Sequence, residues 1–580
     1  MADTTSPKTA IVVGAGVGGI ASAARLAKAG FSVTIVEKNS FTGGRCSLIH
    51  HEGFRFDQGP SLLLLPKLFK ETFHDLDTSL SHEGVELLKC DPNYNLWFGD
   101  GEKFELSTDA SVMKREIEKW EGKDGFERYL EWLGEAHRHY ELSVTEVLHK
   151  NFDSIFHLLR PSFIGKVFAL HPFESIYSRA SKYFWTDRLR RVFTFGSMYM
   201  GMSPYDAPGT YSLLQYTELA EGIWYPVGGF HAVAAALLRI CERLGVTVRL
   251  NTPVESVLTS TDGKAATGVV LTSGEILKAD VIVINADLVY AYNNLFPSAT
   301  ASSQSYARSL QKRDGSCSSI SFYWALSQQV PELSTHNIFL ADEYRESFDS
   351  IFDRQSIPRE PSFYVNVPSR VDPTSAPAGK DSMVILVPVG HLLNSSTTAS
   401  AKAGGIPAEQ DWESIVAATR TTIQKTIETR TGCASLAPLI VHESLNTPHS
   451  WEETFNLDKG SILGLSHSFF NVLAFRPKTK HPQVRNCYFV GASTHPGTGV
   501  PIVLAGAKIT TEQILSDFGM SIPWKDKPNV VQDTGVPQGK GLKDIDLIRK
   551  PVSRILGPEG LLVYFLIALL AVALVYGTQR

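Results

Sequence analysis

Apolar and polar residues fall in blocks whose spacing predicts an α/β chain. The opening block, Lys8–Val13, is a short apolar run that reads as a strand. A glycine turn follows, then a helix over about Gly18–Ala29, Gly30 as its C-terminal cap, and a second strand over Ser32–Glu37. Strand, tight turn, helix and strand in that order make a βαβ unit. Farther on, Ala110–Leu148 is a helical stretch mixing acidic and basic residues, and Asn151–Arg191 interleaves Phe, Leu and Ile with Arg and Lys. A helix is predicted to begin near Gly228–Gly229 and end at Gly245, with a strand over Val246–Leu250. A hairpin comes next: strand Thr267–Leu271, a turn at Ser273–Gly274, and a strand from Ile276 that leads to Val281–Ile284. Ser318–Val389 carries further strand patterns between Pro and Gly turns, and Thr397–Gln410 reads as a flexible insertion. Strand Asn486–Val490 then runs into a second glycine-rich segment, Gly491–Gly506.

The last apolar block differs in kind. Gly560–Tyr576 is uncharged and almost wholly apolar. At ~1.5 Å per residue it reaches about 25 Å, short of a typical bilayer core of roughly 30 Å but acceptable to a thin one such as that of the endoplasmic reticulum. Lys540, Lys543, Arg549, Lys550 and Arg554 precede it and only Arg580 follows, a bias that leaves the body in the cytosol. The expectation is a single-pass C-terminal transmembrane anchor behind a Pro- and Gly-bearing linker. A buried core helix is the alternative.

Composition narrows the class. A chain of 580 residues exceeds what one hydrophobic core usually holds, so two or three intertwined domains are expected. Hydrophobic residues at 43% and charged residues at 20% are globular proportions, and a net charge of −5 gives no footing for nucleic acid. The 6 cysteines are scattered without a CxxC pair, which argues against a disulfide framework or a zinc site.

The chemistry starts at Gly14-Ala15-Gly16-Val17-Gly18-Gly19. Gly14 permits the tight turn after the strand, Gly16 lets backbone amides approach a pyrophosphate, and Gly19 lets helix and strand pack closely. Glu37, at the end of the second strand, can accept from ribose hydroxyls and would repel the 2′-phosphate of NADP. Gly43-Gly44-Arg45 lets the chain pass near the cofactor and offers an arginine to phosphate. Two glycine-rich sites at opposite ends of the chain suit extended FAD better than NAD, the alternative.

His50, His51 and His495 lack partners at ligand spacing, so no metal is expected, and Cys46 shows nothing that marks a covalent flavin anchor. Within Asn151–Arg191, Phe152, Ile155, Phe156, Phe163, Val167 and Phe168 could form an apolar face; an ordinary amphipathic helical pair covering the core is the alternative. Arg160, Lys166, Arg179, Lys182, Arg188, Arg190 and Arg191 are candidates for lipid heads. No catalytic residue is identified; surface charge is the expected role of Asp153 and Arg160.

The segments GAGVGGIASAARLAKAGFSVTIVEKNSFTGGR, GFRFDQGPSLLLLP, YPVGGFHAVAAAL, INADLVYAYNNLFP and YFVGASTHPGTGVPIVLAGAK resemble the bacterial and fungal type of phytoene desaturase, from about Ala10 to Ser516. The anchor resembles the fungal members. The wider superfamily includes amine oxidases, carotenoid isomerases and GDP-dissociation inhibitors. The resemblance implies FAD held by Gly14–Gly19, Glu37, Lys38 and Gly43–Arg45, with flavin contacts near Pro60–Ser61 and at Gly491, Ala492, Gly499 and Val500, and adenine met by backbone near Val254. It implies 15-cis-phytoene and downstream carotenoids as substrates, carried toward lycopene or 3,4-didehydrolycopene. It also implies a bilayer as their source, and leaves open a homo-oligomer and the electron acceptor (oxygen, quinone or nicotinamide). Isomerase, saturase, amine oxidase and lipid escort are the competing readings.

The expected fold is a Rossmann-like FAD-binding domain interleaved with a substrate domain of mixed sheet and helices. Residues 8–62, 226–290 and 481–518 would form the first. Residues 63–225 (substrate and membrane contact) and 291–480 would form the second, with a linker at 519–555 and the anchor at 560–576.

Overall fold

The computed structural model describes residues 7–525 apart from 161, 162, 164, 165, 167, 297–300 and 394–410. The apolar block Gly560–Tyr576, the linker beyond residue 525 and the insertion Thr397–Gln410 lie outside the described residues. Among the described residues no helix is long and apolar enough to cross a membrane.

Five short strands form a parallel sheet in the order Cys487–Phe489, Val281–Ile284, Thr9–Val13, Ser32–Val36, Thr247–Arg249. Val13 pairs with Ile284 on one side and Val36 on the other, so the carboxyl ends of the central strands share one edge. Side chains alternate across the sheet with a period of two. Ala10, Val12, Val33 and Ile35 face one core, and Ile11, Val13, Ile282 and Ile284 face the other. The first core is closed by helices Val17–Lys28, His231–Arg243 and Val500–Asp517. An antiparallel meander, Val254–Thr259, Ala266–Leu271 and Ile276–Lys278, closes the second. Both faces are covered, which is why these strands read as continuous apolar runs.

Helix Val17–Lys28 approaches its neighbours closely because Gly18, Gly19, Ala21, Ala23 and Ala24 all lie on its buried side. It ends as its spacing predicts. Gly30 takes φ 95°, a conformation that suits glycine, and donates to the Ala27 carbonyl at 2.9 Å.

A second, seven-stranded sheet runs Ile440–Asn446, Ser318–Leu326, Asp381–Val389, Phe363–Asn366, His336–Phe339, Tyr94–Trp97, Lys103–Leu106. All its neighbours are antiparallel except His336–Phe339 with Tyr94–Trp97. Helix Trp412–Thr431 covers one face through Val416, Ile423 and Ile427. The fold is thus α/β with mixed sheets and helices.

The helical stretch expected over Ala110–Leu148 divides at Gly122, whose φ of 69° ends Ala110–Glu121 and starts Lys123–Ser143. The described residues of Asn151–Arg191 form no single apolar face. Pro172 interrupts any long helix, and Ser154, Ser175 and Thr186 each cap a fresh short turn. Phe152 and Phe163 point into a small core with Leu170 and Ala474, whereas Phe156 points out. The side chains of Val167 and Phe168 lie outside the described residues.

Three helices meet at one carboxylate. Asp75, at the end of helix Pro66–Asp75, accepts from buried Arg25 at 3.0 Å and from Lys508 at 3.1 Å. Removing one partner of a buried pair leaves the other charge uncompensated. Asp75→Ala should therefore destabilise the protein by about 3–5 kcal/mol, read as a fall in the urea midpoint with the slope unchanged.

Candidate functional site

The parallel strands deliver their turns to one edge, the position where open α/β sheets bind ligands. Gly14 leaves the first strand at φ 100° and Glu37 leaves the second. The Glu37 carboxylate accepts from the Ala15 amide at 2.7 Å and from the Asn39 amide at 2.8 Å, so both of its oxygens are oriented by backbone. Each oxygen keeps a lone pair for a ribose hydroxyl. Helix Val17–Lys28 starts at Gly16 without any side-chain cap, so its first amides are free to meet an anion at the positive end of the helix dipole.

The loop fits a pyrophosphate because side chains are excluded from it. A Cβ on Gly19 would stand 2.1 Å from the Gly14 carbonyl oxygen, and one on Gly18 would stand 2.7 Å from both Asn285 Oδ1 and Val503 Cγ1. Gly43 donates to the Ala15 carbonyl at 2.8 Å, and Gly44 abuts Gly16, bringing the second glycine pair onto the first loop. Arg45 donates to the Ile462 carbonyl. Burial lowers its pKa, which the nearby Cys46 thiol and Asp287 carboxyl partly offset. Cys46 is buried beside it with a thiol pushed up to about 12, which leaves it unreactive.

Other sequence-derived positions fall around this edge. Thr252 donates to the Glu37 carbonyl at 2.7 Å and Asn251 to the Asn39 carbonyl at 3.0 Å, which sets the backbone leading into Val254 beside Glu37. Lys38 turns away from the loop and donates to the Glu453 carbonyl and Asn456 Oδ1, both at 2.7 Å. Asp57 binds the motif before Pro60 to the one before helix His231–Arg243: it accepts from the Tyr225 hydroxyl at 2.6 Å and the Phe230 amide at 2.7 Å. Burial still raises its carboxyl to about 6. Ser61 Oγ lies 2.6 Å from the Tyr364 hydroxyl.

The second glycine segment joins the same edge. Gly491 follows the strand beside Val281–Ile284, and helix Val500–Asp517 starts after Gly499 with no side-chain cap. Asn285 links the two segments. Its amide lies against Gly16, Gly18 and Gly19, and its Oδ1 is 3.8 Å from a Cβ built on Gly491. Arg476 holds the rest. Fully buried, it donates to the carbonyls of Thr494 at 3.0 Å, Ser466 at 3.1 Å, Asn471 at 2.6 Å, Leu465 at 3.3 Å and Ala492 at 2.5 Å. Burial lowers its pKa to about 10, so it stays charged at neutral pH. Sequence reasoning missed both residues: Asn285 sat unremarked inside INADLVY, and the only signal for Arg476 was a lone cation between Phe475 and Pro477.

Three histidines are tied into structure. His51 stacks on His442 at 3.5 Å, His495 is hydrogen-bonded to the Lys150 carbonyl, and buried His467 accepts from the Thr498 amide at 3.2 Å. Glu135, His139 and His171 converge closely enough to hold a cation, a grouping that linear spacing did not reveal. Arg179 already occupies the Glu135 carboxylate, and His139 is engaged by Ser212 and the Ala169 carbonyl.

Gly19→Ala should cost about 1–3 kcal/mol through overpacking and yield protein depleted in flavin. Glu37→Ala, which also orphans two amides, should weaken FAD by about tenfold or more. The ratio of visible flavin absorbance to protein absorbance, after dialysis against graded FAD, checks both.

A family model described as flavin containing amine oxidoreductase matches residues 17–515. The phytoene desaturase of Cercospora nicotianae is 58% identical, covering 95% of this chain and 96% of its own. Those of Fusarium fujikuroi and Neurospora crassa are 63% and 62% identical, over 89% and 90% of this chain and 91% and 88% of theirs. Among solved structures, putrescine oxidase bound to putrescine shares 14% identity with a TM-score of 0.55, over 88% of this chain and all but 1% of that one (99%). An oxidoreductase from Methanosarcina mazei gives 14% and 0.57, over 87% and 100%. These two show the fold alone. FAD is the cofactor that both the family and the cradle support. With matches of this length, the chain belongs to the flavin-containing amine oxidoreductases and, among them, to the fungal phytoene desaturases.

Proposed function

We propose that this protein is a flavin-dependent carotenoid desaturase, which takes 15-cis-phytoene from a bilayer and dehydrogenates it stepwise to lycopene or 3,4-didehydrolycopene. The observation that carries the reading is the likeness to a named phytoene desaturase over 95% of the chain, together with a phosphate loop in which Gly16, Gly18 and Gly19 have no room for a Cβ and Gly14 takes φ 100°. Each step removes a hydride and a proton from neighbouring carbons, and bound FAD supplies the hydride acceptor. The protein's part is placement. Glu37 and the Gly14–Gly19 amides would hold ribose and pyrophosphate, Arg45 would face phosphate charge, and Arg476 would keep the Leu465–Thr494 backbone rigid beside the flavin. A hydrocarbon offers no polar handle, so orientation within an apolar space supplies much of the rate.

The bilayer side of the reading rests on an apolar patch. Phe156, Phe173, Phe470 and Leu159 are 73%, 63%, 58% and 51% exposed. Phe173 and Phe470 each pack on Phe469, at 5.0 and 5.2 Å between ring centroids. Side chains of this size left in water mark an interaction surface. The basic residues of the same segment are engaged elsewhere: Lys166 with Glu146, Arg179 with Glu135, Lys182 with Glu174, Arg188 with Asp100 and Arg191 with Asp187. Apolar insertion rather than headgroup charge is therefore the attraction, and Gly560–Tyr576 would add a permanent anchor.

Purified protein with FAD and 15-cis-phytoene in phosphatidylcholine vesicles should yield coloured polyenes, each step lowering the product mass by two hydrogens. Unchanged mass would indicate an isomerase, a gain a saturase, and peroxide release with amines an amine oxidase. A chain truncated after Lys525 should still sediment with vesicles, and Phe156→Asp with Phe470→Asp should reduce that binding by about tenfold or more. Equal binding by the double variant would remove the patch from the reading.

A further inference from the structure

Behind the Pro60–Ser61 segment lies a buried carboxyl with no ion-pair partner among the described residues. Glu218 is fully buried on the π-helical turn Thr217–Glu221, a geometry that often marks functional positions. Its Oε1 accepts from the Tyr94 hydroxyl at 3.1 Å and its Oε2 from Gln215 Nε2 at 3.1 Å. The Tyr94 hydroxyl accepts in turn from Tyr199 at 2.5 Å. Chemistry sets the direction of this chain. When Glu218 is ionised it only accepts, so Tyr94 then donates to it and the Tyr94 oxygen is left to accept from Tyr199. The lone pairs of the Tyr199 oxygen remain at the open end.

The chain is tied to the Pro60–Ser61 segment. Thr217 Oγ1 accepts from the Leu65 amide at 3.1 Å, and Leu63 and Trp224 exchange backbone bonds of 2.9 and 3.1 Å, so the turn is fastened to the segment that follows Ser61. Ser61 is bonded to Tyr364, Tyr364 to His336 Nδ1 at 2.8 Å, and the His336 ring lies 6.0 Å from that of Tyr94. Tyr199 and Tyr364 are only half-buried, yet desolvation lifts both hydroxyls well above the tyrosine range.

We propose that Tyr199, Tyr94 and Glu218 form the wire that removes the substrate proton during dehydrogenation, with Tyr199 meeting the substrate and Glu218 as terminal acceptor. The proposal rests on the desaturase reading above. In each step bound FAD would be the oxidant, taking a hydride from one C–H bond. The neighbouring C–H bond breaks heterolytically, and its electron pair becomes the new double bond. Its proton bonds to the Tyr199 oxygen as the Tyr199 proton passes to Tyr94 and the Tyr94 proton to Glu218. Neither tyrosine ionises, and the step ends with one new C=C and Glu218 as a neutral acid.

The surroundings suit a base of this kind. Burial raises the Glu218 carboxyl to about 8, the Tyr94 bond opposing it, which is near working pH where general-base catalysis is most effective. The titratable groups around the wire are Tyr94, Tyr199, Tyr364 and His336, with Cys90 and Asp57 beside Tyr364; burial pushes the Cys90 thiol up to about 12. Burial holds the tyrosines neutral and His336 neutral at about 3, and Asp57 titrates lower, at about 6. The competent form of Glu218 is the carboxylate, so the rate should rise about tenfold per pH unit below 8 and level off above it.

The test is anaerobic stopped-flow bleaching of the full-length FAD-loaded protein by 15-cis-phytoene in phosphatidylcholine vesicles. Glu218→Gln keeps the size and the Tyr94 hydrogen bond but cannot take a proton. It should slow bleaching by about 100-fold or more with the pH rise abolished, whereas Glu218→Asp keeps the pH rise. Infrared difference spectra of the parent should show a protonated-carboxyl C=O band that grows as the flavin bleaches and is missing in Glu218→Gln. Tyr199→Phe should cause the same loss of rate with Glu218 intact, and it decides the matter if Glu218→Gln fails to hold FAD. Bleaching of either variant within about threefold of the parent, with the parent's pH profile, overturns the wire. A parent that phytoene does not bleach overturns the desaturase reading itself, and the wire with it.

Discussion

Asn285 occupies the space that Cβ atoms on Gly16 and Gly18 would need, and lies against Gly19. The rest of the molecule is arranged around that close approach. Two parallel strands end side by side, and the turn after one has to pass within van der Waals contact of the other while its amides stay turned toward a ligand. Only a Cβ-free backbone permits this. Helix Val17–Lys28 can then begin at the strand end, and helix Val500–Asp517 can pack through Val503 against Gly18. One steric requirement thus places both uncapped helix N-termini on one edge of the sheet, each with amides free for a charged or polar ligand.

The far half of the cradle is organised by charge instead of by absence of side chain. Arg476 is a cation without a carboxylate partner among the described residues, and burying it would be costly if its donors were idle. Five carbonyls from Leu465, Ser466, Asn471, Ala492 and Thr494 satisfy them. Those carbonyls belong to two separate loops, so the arginine acts as a pin across them. The two halves of the cradle differ in what disrupts them: a methyl group in the first, loss of a cation in the second.

Buried polar groups elsewhere follow the same logic. Asp57 meets Tyr225 and the Phe230 amide, and Glu218 meets Tyr94 and Gln215. Neither carboxyl has an ion-pair partner among the described residues that would hold it ionised, and both are raised into the range where a proton can be exchanged near neutral pH. Glu135, by contrast, is met by Arg179, and its pKa falls below the ordinary carboxylate value. Whether a buried acid is a structural anion or a proton carrier depends here on the presence of one arginine.

The sequence by itself determined the βαβ unit, its glycine loop, the carboxylate at Glu37 and the hairpin that follows Val254. Each is written within a few dozen consecutive residues, where turn sterics, helix capping and period-two alternation act locally. It also specified the later strand and helix around Gly491, though not what joins them to the first loop. Tertiary structure decided the remainder. Asn285 meets glycines some 270 positions away, close to the 271 that separate it from Gly14, and Arg476 closes loops from both sides of its own position. Glu218 finds Tyr94 124 residues away. The same holds for Asn151–Arg191, whose composition predicted one apolar and one basic face. Packing turned Phe152 inward and Phe156 outward and gave most of the cations acidic partners. Local sterics can be read from spacing, whereas the partner of a buried polar group is known only when the chain has brought the two together.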